Sequence, residues 1–573
     1  MRIAVIDSCP NSNKYEKYFD FDFEVYHMSS VKLKRLLKKD IDLVIDLSQF
    51  DYVVTIGSDA SKVYAGVSSV TDKAGHLVNE KFIPMMNPAM LTFKPEVKPA
   101  FEKAVENLVL ILQGKYRVNT NGDWKAITVE EEAELYLYDC LNSDASLVAL
   151  DTETTALYPR DGYVLGISIS YRKRSGAYIL SDVMTEHAVE LLQEIVNKKQ
   201  VVFHNAKFDM KMLTFHFGIK FIEAATHDTL IEHYILDETQ GTHGLKSLAL
   251  KYTDYGDYDK DLDDFKVSYC KQYGVKKEDF TYDLIPFDVI SKYAAIDTAV
   301  TLELHDMFFP IVEKNEKLLS LYRKIMIPGL FALTEMEDYG IPLEHERLKF
   351  AESMLGGKLE EAKKALYNTP EVKKFEEAQG KIFNPASVLQ LRTLLFDYLG
   401  LSPTGRMTAT GAHSTDAEVL EELKSEHPIV EKILTIRKLG KIKNTYVDKL
   451  LPQIDRDGRI RTGFNLTSTT SGRLSSSGKF NAQQIVRDDP IVKGCIKAKP
   501  GYKLVSQDLA PAEMYVAAIL SGDKNLMSVF SQKGDFHSMI AHMVFNLPCE
   551  PDKVKKLFPN ERQAAKAISF GIN

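Results

Sequence analysis

Short unbroken apolar runs separated by charged amphipathic stretches mark the first 300 residues, and long helical periodicities mark most of the remaining chain. Between residue 1 and about 120, the runs RIAVID, IDLVIDL and DYVVTIG predict short buried strands of a small doubly wound α/β domain. TVEEEAELYLYDCLNS predicts an acidic amphipathic helix leading into SLVALDTETT, whose continuous apolar run predicts a central strand. A second domain therefore begins near residue 125. YVLGISIS, GAYIL and QVVFHN add strands to it, while HAVELLQEIVNKK and the stretch after Asp209 add helices. Beyond about residue 305 the strand signals thin out, and KLLSLYRKIMIPGLFALTEMEDYG and EVLEELKSEHPIVEKILTIRKLGKIKNTYVDKL predict a helical region. Near residue 458 the pattern changes to GRIRTGFNLTSTTSGRLSSSGKFNAQQIV, followed by a strand-like YKLVSQDL. The expected organisation is a multidomain α/β and α+β chain with units at 1–120, 125–305 and 306–573.

Composition narrows the class. A length of 573 residues calls for several domains. A hydrophobic share of 45% and a charged share of 27% argue against disorder, collagen and a disulfide scaffold. Cys9, Cys140, Cys270, Cys495 and Cys549 lie far apart with no Cys-x-x-Cys spacing, which argues against structural zinc and for a reducing, cytoplasmic compartment. MRIAVIDSCP lacks the apolar core of a signal peptide, and no apolar run long enough to span a membrane is found. The net charge of −8 masks a basic stretch: Lys432 to Lys503 holds 16 Lys or Arg against 5 Asp or Glu, a balance of +11 that fits either a polyanionic partner or exposed helical faces.

The chemistry concentrates between residues 151 and 297. Asp151 and Glu153 are two apart on a predicted strand and so project from one face. Burying two acids together calls for a cation, and oxygen donors fit magnesium or manganese, although Asp-x-Glu by itself fits a solvent-facing strand end equally well. FHNAKFDMKML places Asn205 and Asp209 where a strand enters a helix, and YAAID sets Tyr293 and Asp297 on one helical face at i and i+4. Four carboxylates and a tyrosine match two-metal phosphodiester hydrolysis, with one ion generating hydroxide and the other stabilising the departing 3′ oxygen. In this scheme Asp151 bridges the ions, Glu153, Asp209 and Asp297 complete their cages, and Tyr293 orients the water. The three segments resemble the exonuclease motifs of the DEDD superfamily in its tyrosine-bearing branch, which implies cleavage from 3′ ends. HGLKSLALKYT extends the resemblance to the next helix of polymerase-linked exonucleases.

FNPASVLQLRTLLFDYLGL, RKLGKIKNTYVDKL, STTSGRLSSSGKFNAQQIV and QDLAPAEMYVAAILSGDKNL follow one another as in family A DNA polymerases, the class of bacterial DNA polymerase I. With the exonuclease motifs, the resemblance covers about residues 130 to 573. Arg437, Lys441 and Lys443 lie on a basic helix able to meet phosphates without reading sequence. Arg473, Asn481 and Gln483 sit in a Ser/Gly-rich turn and can donate to minor-groove acceptors that every base pair presents. The resemblance implies that Asp508 binds both polymerase magnesium ions, that Glu513 crowds the sugar 2′ position, and that His537 meets the nucleotide's phosphates. Leu509, Ala510, Pro511, Ala512 and Tyr515 depart from the usual family residues. In ERQAAKAISFGIN, Arg562, Lys566 and Phe570 form one helical stripe that resembles the nucleotide-binding helix of the fingers.

The family motif continues past Asn573, so the expectation is a split or truncated polymerase, completed by a C-terminal fragment that bears the second metal-binding aspartate. The N-terminal YVVTIGSDASKVYAG and DKAGHLVNEKFIPMMNPAML resemble the later half of uracil-DNA glycosylase-like domains carried by some phage polymerases, with Asn87 in place of the usual histidine. A noncatalytic DNA-binding or structural role is expected there. The whole reading is a proofreading DNA polymerase of replication that takes primer-template DNA, deoxynucleoside triphosphates and Mg²⁺. Its rivals are a stand-alone 3′ exonuclease and a noncatalytic DNA-binding scaffold.

Overall fold

The computed structural model describes residues 1–7, 18–19, 21–27, 46–67, 69–93, 97–114, 119–408, 411–478, 480–485, 493–507, 512–531 and 535–572. They divide into a large unit, Met1–Ile496, and a small one, Lys497–Asn573.

The large unit opens with strands β1 (Ile3–Asp7), β2 (Glu24–His27), β3 (Tyr52–Ile56) and β4 (Phe82–Met85), a parallel sheet in the order β2-β1-β3-β4. Strand residues alternate between its faces. Ile3, Val5, Val54 and Ile56 pack on Phe101, Ala104 and Leu108 of α1 (Lys98–Leu112), whereas Ala4, Ile6 and Val53 pack on Phe50, Ala60 and Tyr64. The α/β reading of this region holds for the described strands, and most of IDLVIDL lies outside the described residues.

A mixed six-stranded sheet comes next, built from β5 (Asp123–Ile127), β6 (Leu147–Thr154), β7 (Val164–Arg172), β8 (Ser175–Leu180), β9 (Gln200–Phe203) and β10 (Thr226–Asp228). Its order is β10-β9-β6-β7-β8-β5, which puts β6 in the interior. Val148 and Leu150 of β6 face a core shared with Tyr136, Leu137 and Cys140 of α2 (Glu130–Asn142) and Leu192, Ile195 and Val196 of α3 (Glu186–Lys198). The connections beyond β9 and β10 carry α4 (Ala206–Phe217), α5 (Thr229–Leu236) and α6 (Leu245–Tyr252). The other sheet face is crossed by α7 (Phe287–Lys314), a 28-residue helix. Its Leu302 meets Ala149 and Val202. It comes close because β8 is bare at Gly176: a Cβ built there would lie 2.4 Å from the Ala295 carbonyl oxygen. Lys73 in the N-terminal domain pairs with Asp257 and lies 3.7 Å from Asp259.

Beyond α7 the chain is mostly helical, as expected. A helical run starting at Glu316 passes through a wide turn at Tyr322–Met326 into α8 (Ile327–Tyr339). Strand β11 (Ile341–Pro342) precedes α9 (His345–Tyr367), and Leu359 and Leu366 of α9 share a core with Ile429, Ile433 and Ile436 of α10 (Pro428–Lys441). β12 (Arg459–Ile460) pairs with β11, and β13 (Gly463–Asn465) forms a hairpin with β14 (Ser475–Ser477). The small unit contains α11 (Ala512–Ser521), α12 (Phe536–Phe545) and α13 (Pro559–Ile572), with two shorter helices between them.

One expectation is corrected. YKLVSQDL forms no strand over its described residues 502–507, and Leu504 and Val505 are 61% and 79% exposed. A strand needs a neighbour to satisfy its N–H and C=O groups, and none of the described residues pairs with this one. No helix among the described residues is long and apolar enough to cross a membrane.

The Gly176 contact is testable. Gly176→Ala should push α7 off the sheet and lower stability by ~1–3 kcal/mol, as overpacking does. A melting curve indistinguishable from the parent's would contradict the close approach.

Candidate active site

Asp151 and Glu153 lie on the β6 face that meets α7, in register with Ala149. A β-bulge at Glu153/Thr154 ends the regular pairing with β7 beside them. From α7, Asp297 reaches the same spot, and ligand oxygens of Asp151, Glu153 and Asp297 all lie within 4.8 Å of one another. Asp209 arrives from α4. Its Oδ1 accepts the Thr152 backbone N–H at 2.9 Å and the Thr152 hydroxyl at 2.7 Å, which leaves Oδ2 for a ligand. Tyr293 sits one turn before Asp297 on α7. The four acids and the tyrosine singled out in the sequence therefore converge on the end of β6.

Their electrostatics follow from burial. Desolvation, then repulsion from Asp209, Glu153 and Asp297, pushes the Asp151 carboxyl well above its usual range, and burial with Asp297 does the same to Glu153. Burial raises Asp209 to about 7 against the opposing Thr152 hydrogen bonds. Burial and the fields of Asp297 and Glu153 push the Tyr293 phenol far up, so it keeps its proton.

Two residues at this site were not foreseen. Lys246 on α6 pairs with Asp297, donates to the Tyr258 hydroxyl at 2.9 Å, and lies 4.0 Å from the Tyr293 ring centroid. Tyr258 also donates to Asp297 and stacks on Tyr293, with centroids 6.2 Å apart. Lys246 is thus the cation that sits among the acids in this structure. Its sequence signal was a lysine in HGLKSLALKYT beside the buried Leu248 and Ala249. Nothing in the spacing marks Tyr258.

Behind the site, Asp228 fixes the start of α4. Its carboxylate accepts N–H groups from Asn205 at 3.1 Å, Ala206 at 2.9 Å and Leu230 at 2.9 Å, and burial raises it to about 6 despite them. Asn205 adopts a left-handed conformation, φ 69°, and stands exposed at the head of the helix that carries Asp209. The Asp228 N–H donates to Tyr322 at 3.1 Å, and Tyr322 donates to Glu232 at 3.1 Å. His227, Glu232 and His305 also bring donor atoms within 4.8 Å of one another. Within that trio the histidines brace the Glu232 carboxylate: His305 lies 2.8 Å from Glu232, and Arg323 donates to His227 Nε2 at 2.9 Å, bringing a positive charge where a metal ion would be repelled.

Residues 125–313 match the family described as 3′-5′ exonuclease, and residues 354–573 match DNA polymerase family A. The DNA polymerase of Escherichia phage T5 is 50% identical over 598 residues, covering 100% of this chain and 70% of that protein. The chain belongs to DNA polymerase family A. DNA polymerase I of Chloroflexus aurantiacus is 32% identical over 444 residues, covering 75% of this chain and 44% of the bacterial protein. Among solved structures, the POL domain of Pol1 from M. smegmatis, in complex with DNA primer-template and dNTP, aligns with a TM-score of 0.60 at 25% identity, covering 78% of this chain and 71% of that one. This family A member thus spans 70% of the phage relative and less than half of the Chloroflexus one.

In its polymerase region, several of the expected DNA-binding side chains are engaged within the protein. Arg437 is half-buried and donates to the carbonyls of Thr415 at 2.6 Å and Pro385 at 3.3 Å, joining α10 to neighbouring loops. Lys443 pairs with Asp448 at 2.8 Å, whereas Lys441 is exposed. Asn481 accepts from the Gln483 N–H at 3.1 Å and donates to the Ser476 carbonyl at 3.0 Å, and the Gln483 amide donates to Leu474 at 3.1 Å. Both side chains therefore tie down the β13–β14 hairpin, on which Arg473 is exposed. In the small unit, Glu513 is exposed in the first turn of α11 and His537 is buried on α12. Arg562 makes a two-pronged pair with Asp535 at 2.6 and 2.8 Å, which holds that carboxyl well below its usual range, while Lys566 is half-buried. Asp508 and the side chain of Phe570 lie outside the described residues.

The raised carboxyls carry a sign. An acid that titrates at about 7 when folded and near 3.8 when unfolded stabilises the metal-free protein fully below 3.8, and that contribution is lost as pH rises through about 7. Metal ligation requires ionised carboxylates. Added Mg²⁺ should therefore raise the melting temperature more at about pH 8 than at about pH 5.5. Equal shifts at the two pH values would count against metal binding at these acids.

Proposed function

We propose that this protein removes nucleotides from the 3′ ends of DNA by metal-assisted hydrolysis and that residues 354–573 serve template-directed DNA synthesis. The observation that carries the first part is the convergence of Asp151, Glu153 and Asp297 within 4.8 Å, with Asp209 pinned beside them by Thr152. The donor set fits a hard divalent cation, Mg²⁺ or Mn²⁺: it is all oxygen, and its buried negative charge needs compensation. Asp151, Glu153, Asp209 and Asp297 would hold the ions. Bound there, such ions supply a water that ionises near neutral pH and positive charge for the departing 3′ oxygen. Tyr293, protonated and facing the acids, donates a hydrogen bond that orients the attacking water. Lys246 holds Asp297, Tyr258 and Tyr293 in one assembly, and Asn205 contacts the strand at the head of α4.

For synthesis, Asp508 would bind metal, Glu513 would select deoxyribose, and His537, Arg562, Lys566 and Phe570 would hold the incoming triphosphate, with Arg562 exchanging Asp535 for phosphate. Arg437 holds loops in place, so Lys441 and the hairpin bearing Arg473, braced by Asn481 and Gln483, supply the duplex contacts. The M. smegmatis relative, solved with primer-template and dNTP, supports this choice of partners. Residues 1–120 are assigned a noncatalytic role, and Asn87 there turns its side-chain oxygen onto the Ala89 N–H at 2.9 Å.

The test is a 5′-labelled primer-template with Mg²⁺ and four deoxynucleotides. Shortening of the primer supports the exonuclease, and lengthening, alone or with a polypeptide that supplies a second palm aspartate, supports synthesis. Asp151→Ala should reduce trimming to background while primer-template affinity, steeply salt-dependent, persists. Undiminished metal-dependent trimming by the pure variant would refute the assignment. A chain that binds DNA and neither trims nor extends it would be a scaffold.

A further inference from the structure

The β13–β14 hairpin is built against the helices of the exonuclease region, and one buried carboxylate joins it to α4. Glu337 on α8 has a side chain only 3% exposed. It pairs with Lys207, pairs with Lys211 at 2.7 Å, and accepts the Phe464 N–H at 2.6 Å. Lys207 also donates to the Phe464 carbonyl. Phe464 is opposite Ser476 in the hairpin, so both outward backbone groups of β13 at this position are taken by the ion cluster. Lys207 and Lys211 share one face of α4 at i and i+4, and Asp209, about 200° around the helix, points to the catalytic strand. A single rigid helix therefore presents lysines to the hairpin and an acid to the site.

Neutral contacts run alongside. Tyr234 donates to the Thr469 carbonyl at 2.6 Å, Gln240 donates to Ser468 at 2.9 Å, and Leu466 packs against the exonuclease core. Gly478, at φ 98°, lies against Tyr158, where a Cβ would be 2.5 Å from the hydroxyl. Glu337 differs from these because it balances two lysines at once. Without it, two poorly hydrated cations on neighbouring turns of α4 would be left unneutralised at the contact.

We propose that Glu337 is a positioning residue that fixes the duplex-contact hairpin against the exonuclease helix, so that a 3′ end leaving a held duplex is delivered to Asp151. This role rests on the exonuclease and duplex-binding functions proposed for the chain. Hydrolysis of a free single strand needs only the carboxylate site. Hydrolysis of a paired primer end also needs the hairpin in register with α4, and that register depends on Glu337.

Glu337→Gln keeps the shape, but it can accept through one oxygen only and turns an NH₂ donor toward a lysine. The full-length variant should trim a single-stranded oligonucleotide as the parent does, while its rate on a paired primer end falls about fivefold or more relative to that. Amide exchange at Phe464 should speed up in the variant, a readout independent of hydrolysis. Lys211→Met, which removes one of the two ion pairs, should move the same ratio in the same direction by less, and it carries the test if Glu337→Gln fails to fold. An unchanged ratio with unchanged Phe464 exchange, or equal loss on both substrates, overturns the proposal. A parent protein that trims neither substrate would refute the exonuclease reading instead, with Phe464 exchange still deciding whether Glu337 anchors the hairpin.

Discussion

The structure around β6 depends on one constraint: several carboxylates are buried together, and such a group is tolerated only when charge and hydrogen bonds are supplied to it. Thr152 commits its backbone N–H and hydroxyl to Asp209, Lys246 and Tyr258 commit to Asp297, and Asp228 accepts two N–H groups at the start of α4 and a third from Leu230 in the first turn of α5. Each compensation demands an element in a fixed place. The interior strand must be flanked by β9 and β7, α7 must lie on the sheet at Gly176, and α6 must bring a lysine to the end of β6. Charge within the cluster is left unbalanced: among the described residues Lys246 sets one positive charge beside several acids, and Asp151, Glu153 and Asp209 respond by holding their protons tightly.

The same logic extends outward. α4 is a two-sided element: one face turns Asp209 to Thr152 of β6, and the opposite face carries Lys207 and Lys211. Both lysines are committed to Glu337. Part of the basic stretch between Lys432 and Lys503 is treated alike: Arg437 is bound to carbonyls, Lys443 to Asp448, and Arg461 to Asp455 and Asp457. The balance of +11 already subtracts Asp448, Asp455 and Asp457, so these pairs leave the net charge of the segment unchanged and lower only the number of its cations that point outward to meet a phosphate.

Local patterning along the chain was enough to place six of the strands and to single out the acids. Apolar runs bounded by polar residues place β1, β3, β6, β7, β8 and β9, and period-two and period-four spacings put Asp151 with Glu153 and Tyr293 with Asp297, because these relations are local and set by backbone geometry. YKLVSQDL reads as a strand on the same rule, and no neighbour among the described residues makes it one. Which charges meet is set by packing between distant segments. Lys246 and Tyr258 reach Asp297 from segments 51 and 39 residues away, and Glu337 is 130 residues from Lys207 and 127 from Phe464. No local period relates such positions. Their pairing comes from how helices settle on a sheet, and burial then turns proximity into an electrostatic demand that one-dimensional spacing does not encode.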